Sequence, residues 1–178
     1  QLAGNINRMK LAAALLLTLP GTPFIYYGEE LGQGGAKPDE HIREPFDWYA
    51  AAEGPGMTDL RLWTNKEPLY TQAFDGISVE EQEEETTSLL NHYRKLIRLR
   101  KEHPAFFNGR YERLDTPQGT YGYSVAGDTY LLWVIHNYQT RPQTIRVEGE
   151  AIELLSSQQV EGEVGINPLG TIIIKYDL

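Results

Sequence analysis

Cysteine is absent from this 178-residue sequence, which excludes disulfide bonds and metal sites built on thiolates. Basic residues are also few, since 16 Lys and Arg face 25 Asp and Glu and give a formal net charge of -9. A nucleic-acid-binding protein needs a basic surface, so this charge argues against nucleic acid as a partner.

Long apolar runs are missing as well. The run Leu11–Leu19 follows Arg8 and Lys10, as in a signal peptide, but Pro20 and Gly21 stand where a small-residue cleavage site belongs. The run is far shorter than the roughly 20 residues that cross a bilayer. We therefore predict a buried helix here and no membrane span.

What the sequence does contain is enough apolar material for a packed core. Hydrophobic residues make up 40% and aromatic residues 11% of the chain. Eleven Tyr and three Trp supply flat, amphipathic surfaces, which suit sugars and also suit the core of a β-rich domain.

The N-terminal part is typical of an α/β fold. Asn5 or Asn7 can cap a helix that runs through Leu11–Thr18 and stops at Pro20. The segment Thr22–Tyr27 is apolar on both faces, which predicts an interior parallel strand. One helix–strand unit cannot close a parallel sheet, so the remaining strands are expected elsewhere.

The rest of the sequence divides into a loop, a helix and a β region. Residues 29–78 are irregular but rich in aromatic residues, which favours an ordered, functional loop. Ser88–Lys101 predicts a helix, because Leu89, Tyr93, Leu96 and Arg100 recur at helical spacing. The following segments alternate as strands: Tyr111–Leu114, Thr120–Val125, Thr129–His136, Gln143–Val147, Ala151–Leu155 and Thr171–Tyr176. Their even spacing predicts an antiparallel sandwich.

Three segments resemble glycoside hydrolase family 13, the α-amylase family. Leu19-Pro-Gly-Thr-Pro-Phe-Ile-Tyr-Tyr-Gly-Glu-Glu-Leu-Gly32 is similar to the eighth strand of its (β/α)8 barrel, and Ile42-Arg-Glu-Pro-Phe-Asp-Trp48 to a family loop of the pattern Arg-x-Pro-(Met/Phe)-x-Trp. The helix sequence ending at Pro104 is similar to the last barrel helix. The all-β tail resembles the family's C-terminal sandwich domain.

The resemblance implies an α/β fold followed by an all-β domain. Residues 1–104 are expected to form the C-terminal portion of the (β/α)8 TIM barrel with an active-site loop, and residues 105–178 an antiparallel β-sandwich. The family cleaves α-glucosidic bonds with retention, using an aspartate nucleophile, a glutamate acid/base and a second aspartate in an Asn-His-Asp motif. That motif does not occur here, and Asn7–Ala13 matches the helix that follows it. We therefore expect no catalytic residue in this sequence, and the chain alone to be inactive.

The resemblance also implies substrate-contacting residues. Arg43 matches an arginine that reaches sugar hydroxyls in related glucosidases, and guanidinium is a rigid multiple donor. The alternative is a loop-fixing salt bridge with Glu44 or Asp47. Trp48 or Trp63 could stack on a sugar face, or could anchor the loop.

Glu29 and Glu30 lie at the end of the predicted barrel strand, where function gathers in this fold. Adjacent strand residues point to opposite sides, so two neighbours are poorly placed to flank one bond. We expect both to hold the loop that follows the strand.

The expected cofactors and partners follow from the same resemblance. We expect no metal site or other cofactor in this chain, because Asp39, Glu40 and Asp59 lack the spacing of a calcium loop, although the parent enzyme could carry calcium. The expected partners are an α-glucan or malto-oligosaccharide and the N-terminal remainder of the barrel.

The exposed apolar surface of Leu11–Tyr27 predicts self-association of the chain. A bacterial-type parent enzyme, secreted or associated with the cell envelope, is expected. A non-catalytic glucan-binding or interaction module and an oligo-1,6-glucosidase-type parent are the alternatives.

Overall fold

The structure is a computed structural model that describes residues 4–178, apart from the side chain of Trp63. Within these residues the helices are α1 Ile6–Thr18, α2 Asp39–Ile42, α3 Leu60–Thr64, α4 Val79–Glu83, α5 Leu89–Glu102 and α6 Ala105–Asn108. The strands are β1 Arg110–Leu114, β2 Thr120–Ala126, β3 Tyr130–Asn137, β4 Gln143–Glu153, β5 Gln158–Ile166 and β6 Thr171–Asp177. The chain forms two compact units, one of Phe24–Arg94 with the start of the chain up to Met9, the other of Lys10–Pro23 with Lys95–Leu178.

The first predicted helix is confirmed. The Asn5 Oδ1 atom accepts a hydrogen bond from the Arg8 N–H at 3.1 Å, which is the N-capping interaction that the sequence suggested. The helix ends at Thr18, two residues before Pro20.

The predicted strand Thr22–Tyr27 forms no ladder with any described residue. Phe24 is 82% exposed and Tyr26 56% exposed, although both were expected to be interior. The physical reason is that a parallel strand gains its hydrogen bonds and its cover from neighbouring strands and helices. None of the six strands described between residues 4 and 178 pairs with this segment.

The second predicted helix, α5, is also confirmed, and the burial of Arg100 on it has a clear cause. Arg100 is 4% exposed. Its guanidinium donates hydrogen bonds to the carbonyl oxygens of Leu17 at 2.7 Å, Leu19 at 3.2 Å and Gly21 at 2.6 Å. These carbonyls lie at and beyond the C-terminal end of α1, where a helix leaves acceptors unpaired and a cation is favoured.

The C-terminal region is a six-stranded antiparallel sheet in the order β1-β2-β3-β6-β4-β5. β4 joins β6 only through Ile152 and Glu153, which pair with Lys175 and Ile174. The greater part of β4 pairs with β5 alone.

The hairpin of β4 and β5 folds over the rest of the sheet. In a flat sheet, the register of β4 on β6 would place Val147 beyond the end of β6. Val147 instead shares a core cluster with Ile135 of β3, Ile166 of β5 and Ile172 of β6. The predicted antiparallel C-terminal domain is therefore confirmed, and its second layer is this hairpin.

Two predicted strand boundaries are wrong. Gln143–Val147 and Ala151–Leu155 were expected as separate strands, but the structure joins them into β4 with a bulge between Val147 and Ala151. Gly149 in the bulge has φ 74° and Gly162, opposite Val147, has φ 76°. Strand β5 was not predicted, because a polar, glycine-containing segment gives a weak strand signal.

The antiparallel domain fully buries the imidazole of His136. It is 0% exposed, and its Nδ1 atom lies 2.8 Å from Thr171 Oγ1. The Nε2 atom has no hydrogen-bond partner among the described residues. Burial disfavours the charged imidazolium and lowers the pKa of His136 from 6.5 to about 4.

This lowered pKa predicts a loss of stability in acid. Between pH 6.5 and 4 the unfolded chain takes up a proton at His136 that the folded chain does not, so the free energy of unfolding falls as the pH falls. Relative to His136→Gln, the wild type should lose about 3 kcal/mol across this window. Urea unfolding of both proteins from pH 4 to 8 measures the difference. A difference that does not change with pH would contradict the assignment.

No helix among residues 4–178 has the length and the apolar character needed to span a membrane.

Candidate functional site

The candidate site is the loop region that follows the Phe24–Tyr27 segment, within the first unit. A turn opens it: Gly28 has φ 84°, and its carbonyl accepts the Gln33 N–H at 2.9 Å. The left-handed backbone angle at Gly28 favours glycine, and a Cβ there would also displace the end of the Gln33 side chain.

Glu29 lies in this turn with both carboxylate oxygens occupied. Oε1 accepts the Tyr93 hydroxyl at 2.9 Å, and Oε2 accepts the Tyr26 N–H at 3.1 Å. Burial, together with the hydrogen bond to Glu29, raises the pKa of Tyr93 well above its usual value. Glu30 is half-buried, and its Oε2 atom has no hydrogen-bond partner among the described residues. The loop-holding role of both glutamates stays a prediction.

Arg43 closes α2 and extends into solvent. Its side chain is 66% exposed, and its Nη2 atom lies 3.8 Å from Asp39 Oδ2. The alternative ion pair of Arg43 with Glu44 or Asp47 is therefore wrong, because Arg43 pairs with Asp39 instead. This ion pair is long and exposed, so it contributes little to stability.

Trp48, on the same loop, is 51% exposed. Its ring packs against Phe46 with 4.6 Å between centroids. One edge of the indole is thus fixed by the protein while much of its surface faces solvent, as a sugar-stacking residue requires.

The side chain that organises this loop is Glu44, which the sequence analysis considered only as a salt-bridge partner. Its carboxylate is buried and accepts N–H groups from three consecutive residues, Leu69 at 2.8 Å, Tyr70 at 2.8 Å and Thr71 at 2.9 Å. His41 Nδ1 lies 2.8 Å from the same carboxylate.

Burial alone would raise the pKa of Glu44, but the three backbone N–H groups and His41 together hold it below the usual value. The ionised form is therefore the one that the loop binds. No pattern in the sequence connects residue 44 with residues 69–71, so this interaction could not have been predicted.

Further contacts join the loop to the turn at Gly28. The Tyr27 hydroxyl donates to the Glu44 carbonyl oxygen at 3.1 Å. Gln33 Nε2 donates to the Pro45 carbonyl oxygen at 2.8 Å and to Thr71 Oγ1 at 3.1 Å. The backbone that follows Arg43 is thus held by hydrogen bonds, while the guanidinium extends into solvent.

Asp47 has a different environment. It is 0% exposed, and neither carboxylate oxygen has a hydrogen-bond partner among the described residues. Burial, with smaller contributions from the charges of Asp75 and Glu81, raises the pKa of Asp47 to about 6.

The same loop also lines a cleft of about 530 Å³, with residues that include Pro45, Met57, Leu60 and Gln72. The side chain of Trp63, a second candidate for stacking, lies outside the described part of the structure.

The acidic residues considered for calcium have other partners. Lys37 pairs with Asp39, Lys66 with Glu40 at 3.4 Å, and Arg61 with Asp59 at 2.9 Å. Among residues 4–178 no group of three or more potential ligands is placed to hold a metal ion.

This chain is similar in sequence and structure to proteins of known class. The family model for the α-amylase catalytic domain matches residues 2–109. Alpha-amylase 3 of Dictyoglomus thermophilum is 34% identical over 97% of this chain and 35% of its own length. The trehalose synthase/amylase of Mycobacterium tuberculosis is 30% identical over 93% of this chain and 29% of its own length.

The crystal structure of an α-amylase from H. orenii matches 97% of this chain and 36% of its own, with a TM-score of 0.78 and 35% identity. The chain belongs to the α-amylase family, glycoside hydrolase family 13. It spans about a third of the length of the curated relatives that it matches.

The Glu44 carboxylate generates one testable prediction. Glu44→Gln removes the charge that three N–H groups share, and should cost about 2 kcal/mol of local stability. Hydrogen exchange at the Leu69, Tyr70 and Thr71 amides should accelerate accordingly. The control is Glu80→Gln, which alters an exposed carboxylate bonded to the Ala50 N–H alone. Equal exchange at residues 69–71 in both variants would refute the role of Glu44.

Asp47 generates a second prediction, with the opposite sign from His136. Its folded pKa of about 6 exceeds the ordinary 3.8, so the folded chain binds the extra proton and its stability falls as the pH rises through this interval. Relative to Asp47→Asn, the wild type should lose about 3 kcal/mol between pH 4 and 7. Urea unfolding measures this, and Asp75→Asn should shift the effect to lower pH. A pH-independent difference would show that Asp47 is ionised throughout.

Proposed function

We propose that this chain is the C-terminal portion of an α-amylase-like retaining glycoside hydrolase that acts on α-glucosidic bonds of starch or malto-oligosaccharides. Residues 1–104 supply the last barrel elements with the active-site loop, and residues 105–178 the antiparallel domain. The end of the family match at residue 109 supports this division.

The observation that carries the proposal is that Arg43 and Trp48, five residues apart on one loop, both present an exposed side chain. An exposed guanidinium provides several hydrogen-bond donors for sugar hydroxyls, and a half-exposed indole provides a stacking face. Glu44 holds the backbone beneath both groups.

Retaining hydrolysis needs a nucleophile and an acid/base whose carboxyl groups lie roughly 5 Å apart. Glu29 is a poor candidate for either, because Tyr93 and Tyr26 already occupy its carboxylate. We place the catalytic carboxylates on the barrel elements that precede this sequence. Arg43 and Trp48 then bind and orient the sugar, and Glu29 and Glu30 support the loop.

The partner of the Phe24–Tyr27 segment is, in this proposal, the N-terminal remainder of the barrel. Phe24, Ile25, Tyr26 and Tyr27 are all exposed in this chain. An extended apolar segment without a ladder readily pairs with another strand, and in the absence of the remainder it would promote self-association. The apolar residues Leu11 and Leu17 of α1 are buried, so the exposed surface is smaller than the sequence suggested.

The described acidic residues do not fit a calcium site, so any calcium of the parent enzyme is assigned to its other parts. A secreted or envelope-associated parent follows from the polymeric substrate. Glucosyl transfer is the second candidate reaction, because a relative that matches 93% of this chain is named a trehalose synthase/amylase.

The test uses the full-length protein that contains this chain. Arg43→Ala should lower kcat/KM on a chromogenic maltoside at least about tenfold, the value of one hydrogen bond to a charged group. Arg94→Ala is the matched control, since Arg94 is an exposed arginine paired with Glu83. The isolated 178-residue chain should show no turnover. Turnover by that chain, or equal activity of both variants, would overturn the proposal.

A further inference from the structure

A cleft in the antiparallel domain lies at the place where the β4–β5 hairpin begins to fold over the sheet. Its volume is about 290 Å³, near the lower end of the roughly 300–1,000 Å³ that small-molecule sites have. The walls come from the end of β1 and the following loop, from β3, and from the start of β4. Every lining residue lies between positions 114 and 146, inside the second unit.

The floor of this cleft is apolar and contains Trp133. Leu114 and Ile145 line the cleft with it and pack against the core of the domain, and the fully buried Ile135 lies beneath them. Trp133 is half-buried, and Tyr176 packs against it at 5.1 Å with 63° between the ring planes. This edge contact fixes the indole in orientation, so that binding a ligand costs little side-chain entropy.

One wall is fixed by a close backbone approach. A Cβ atom at Gly122 would lie 2.4 Å from Thr116 Cγ2, so the loop carrying Thr116 packs directly on β2. The shape of the cleft is therefore preformed.

The rim carries Asp115 and Arg146, both exposed, with Thr144 beside them. Neither charged side chain makes an ion pair or a side-chain hydrogen bond with another residue in the described part of the chain. The negative charge of Asp115 and the positive charge of Arg146 offset each other, so the rim does not favour a ligand of strong net charge. They are suited to bonding the hydroxyls of a neutral ligand.

An apolar floor with a fixed indole and a rim of donors and acceptors matches a pyranose ring, which has a C–H face and a hydroxyl edge. We propose that this cleft binds a neutral sugar ring, and specifically a glucosyl unit of an α-glucan. The choice of α-glucan among sugars rests on the function proposed above. The binding itself requires only residues of the antiparallel domain.

The experiment titrates full-length protein with maltotriose carrying sulfur-linked, hydrolysis-resistant bonds, and follows heat or tryptophan fluorescence. Arg146→Ala and Asp115→Asn should each weaken binding about tenfold. Trp133→Phe should weaken it without loss of folding, as circular dichroism would verify. Arg110→Ala, an exposed arginine of the same domain, is the matched control and should bind as the wild type does.

Binding that is lost in Arg43→Ala but unchanged in Arg146→Ala and Asp115→Asn would overturn this inference. So would Arg146-dependent binding of inorganic phosphate in place of the sugar. Turnover of a chromogenic maltoside is measured in parallel, and Arg146→Ala should leave it unchanged while reducing adsorption to starch granules. If the full-length protein shows no turnover but its sugar binding still depends on Arg146, only the proposed function is refuted. If turnover is normal but sugar binding does not depend on Arg146, only this inference is refuted.

Discussion

The first unit depends on one buried carboxylate. Glu44 collects the N–H groups of Leu69, Tyr70 and Thr71, which would otherwise be unsatisfied donors in a long irregular loop. Burying a charge is unfavourable unless several donors compensate it, and here backbone donors and His41 do so together. A loop with little regular secondary structure thereby obtains a defined conformation, and the backbone next to Arg43 is held with it.

The second unit uses a cation for the same purpose. Arg100 places its guanidinium among the last carbonyl groups of α1 and the residues beyond, where no intrahelical donor remains. The two units thus satisfy backbone groups outside regular secondary structure with side chains of opposite charge. The Glu44 carboxylate accepts from a run of N–H groups, and the Arg100 guanidinium donates to a run of C=O groups. In both, the charged side chain comes from a distant position in the sequence.

The elements with strong periodicity were predictable from the sequence. The helix bounded by Asn5 and Pro20 has a recognisable cap and stop, and the alternating strands of the C-terminal region have a clear period. β5 was missed because its polar residues pair only with β4, at the edge of the sheet, where burial demands little. Arg43 and Trp48 were proposed from the family resemblance, and their roles stay predictions. Glu44 and Asp47 were not, because their environments depend on residues that only the folded loop brings near.

The bulge in β4 constrains which sequences this domain can accept. Gly149 and Gly162 both have left-handed backbone angles, yet a Cβ atom at either would meet nothing within 4 Å. Surface positions with free space normally tolerate most replacements. At these two the barrier is chirality, because an L-residue resists the angle whatever its size. The bent hairpin thus favours residues that lack a stereocentre at two places on the protein surface.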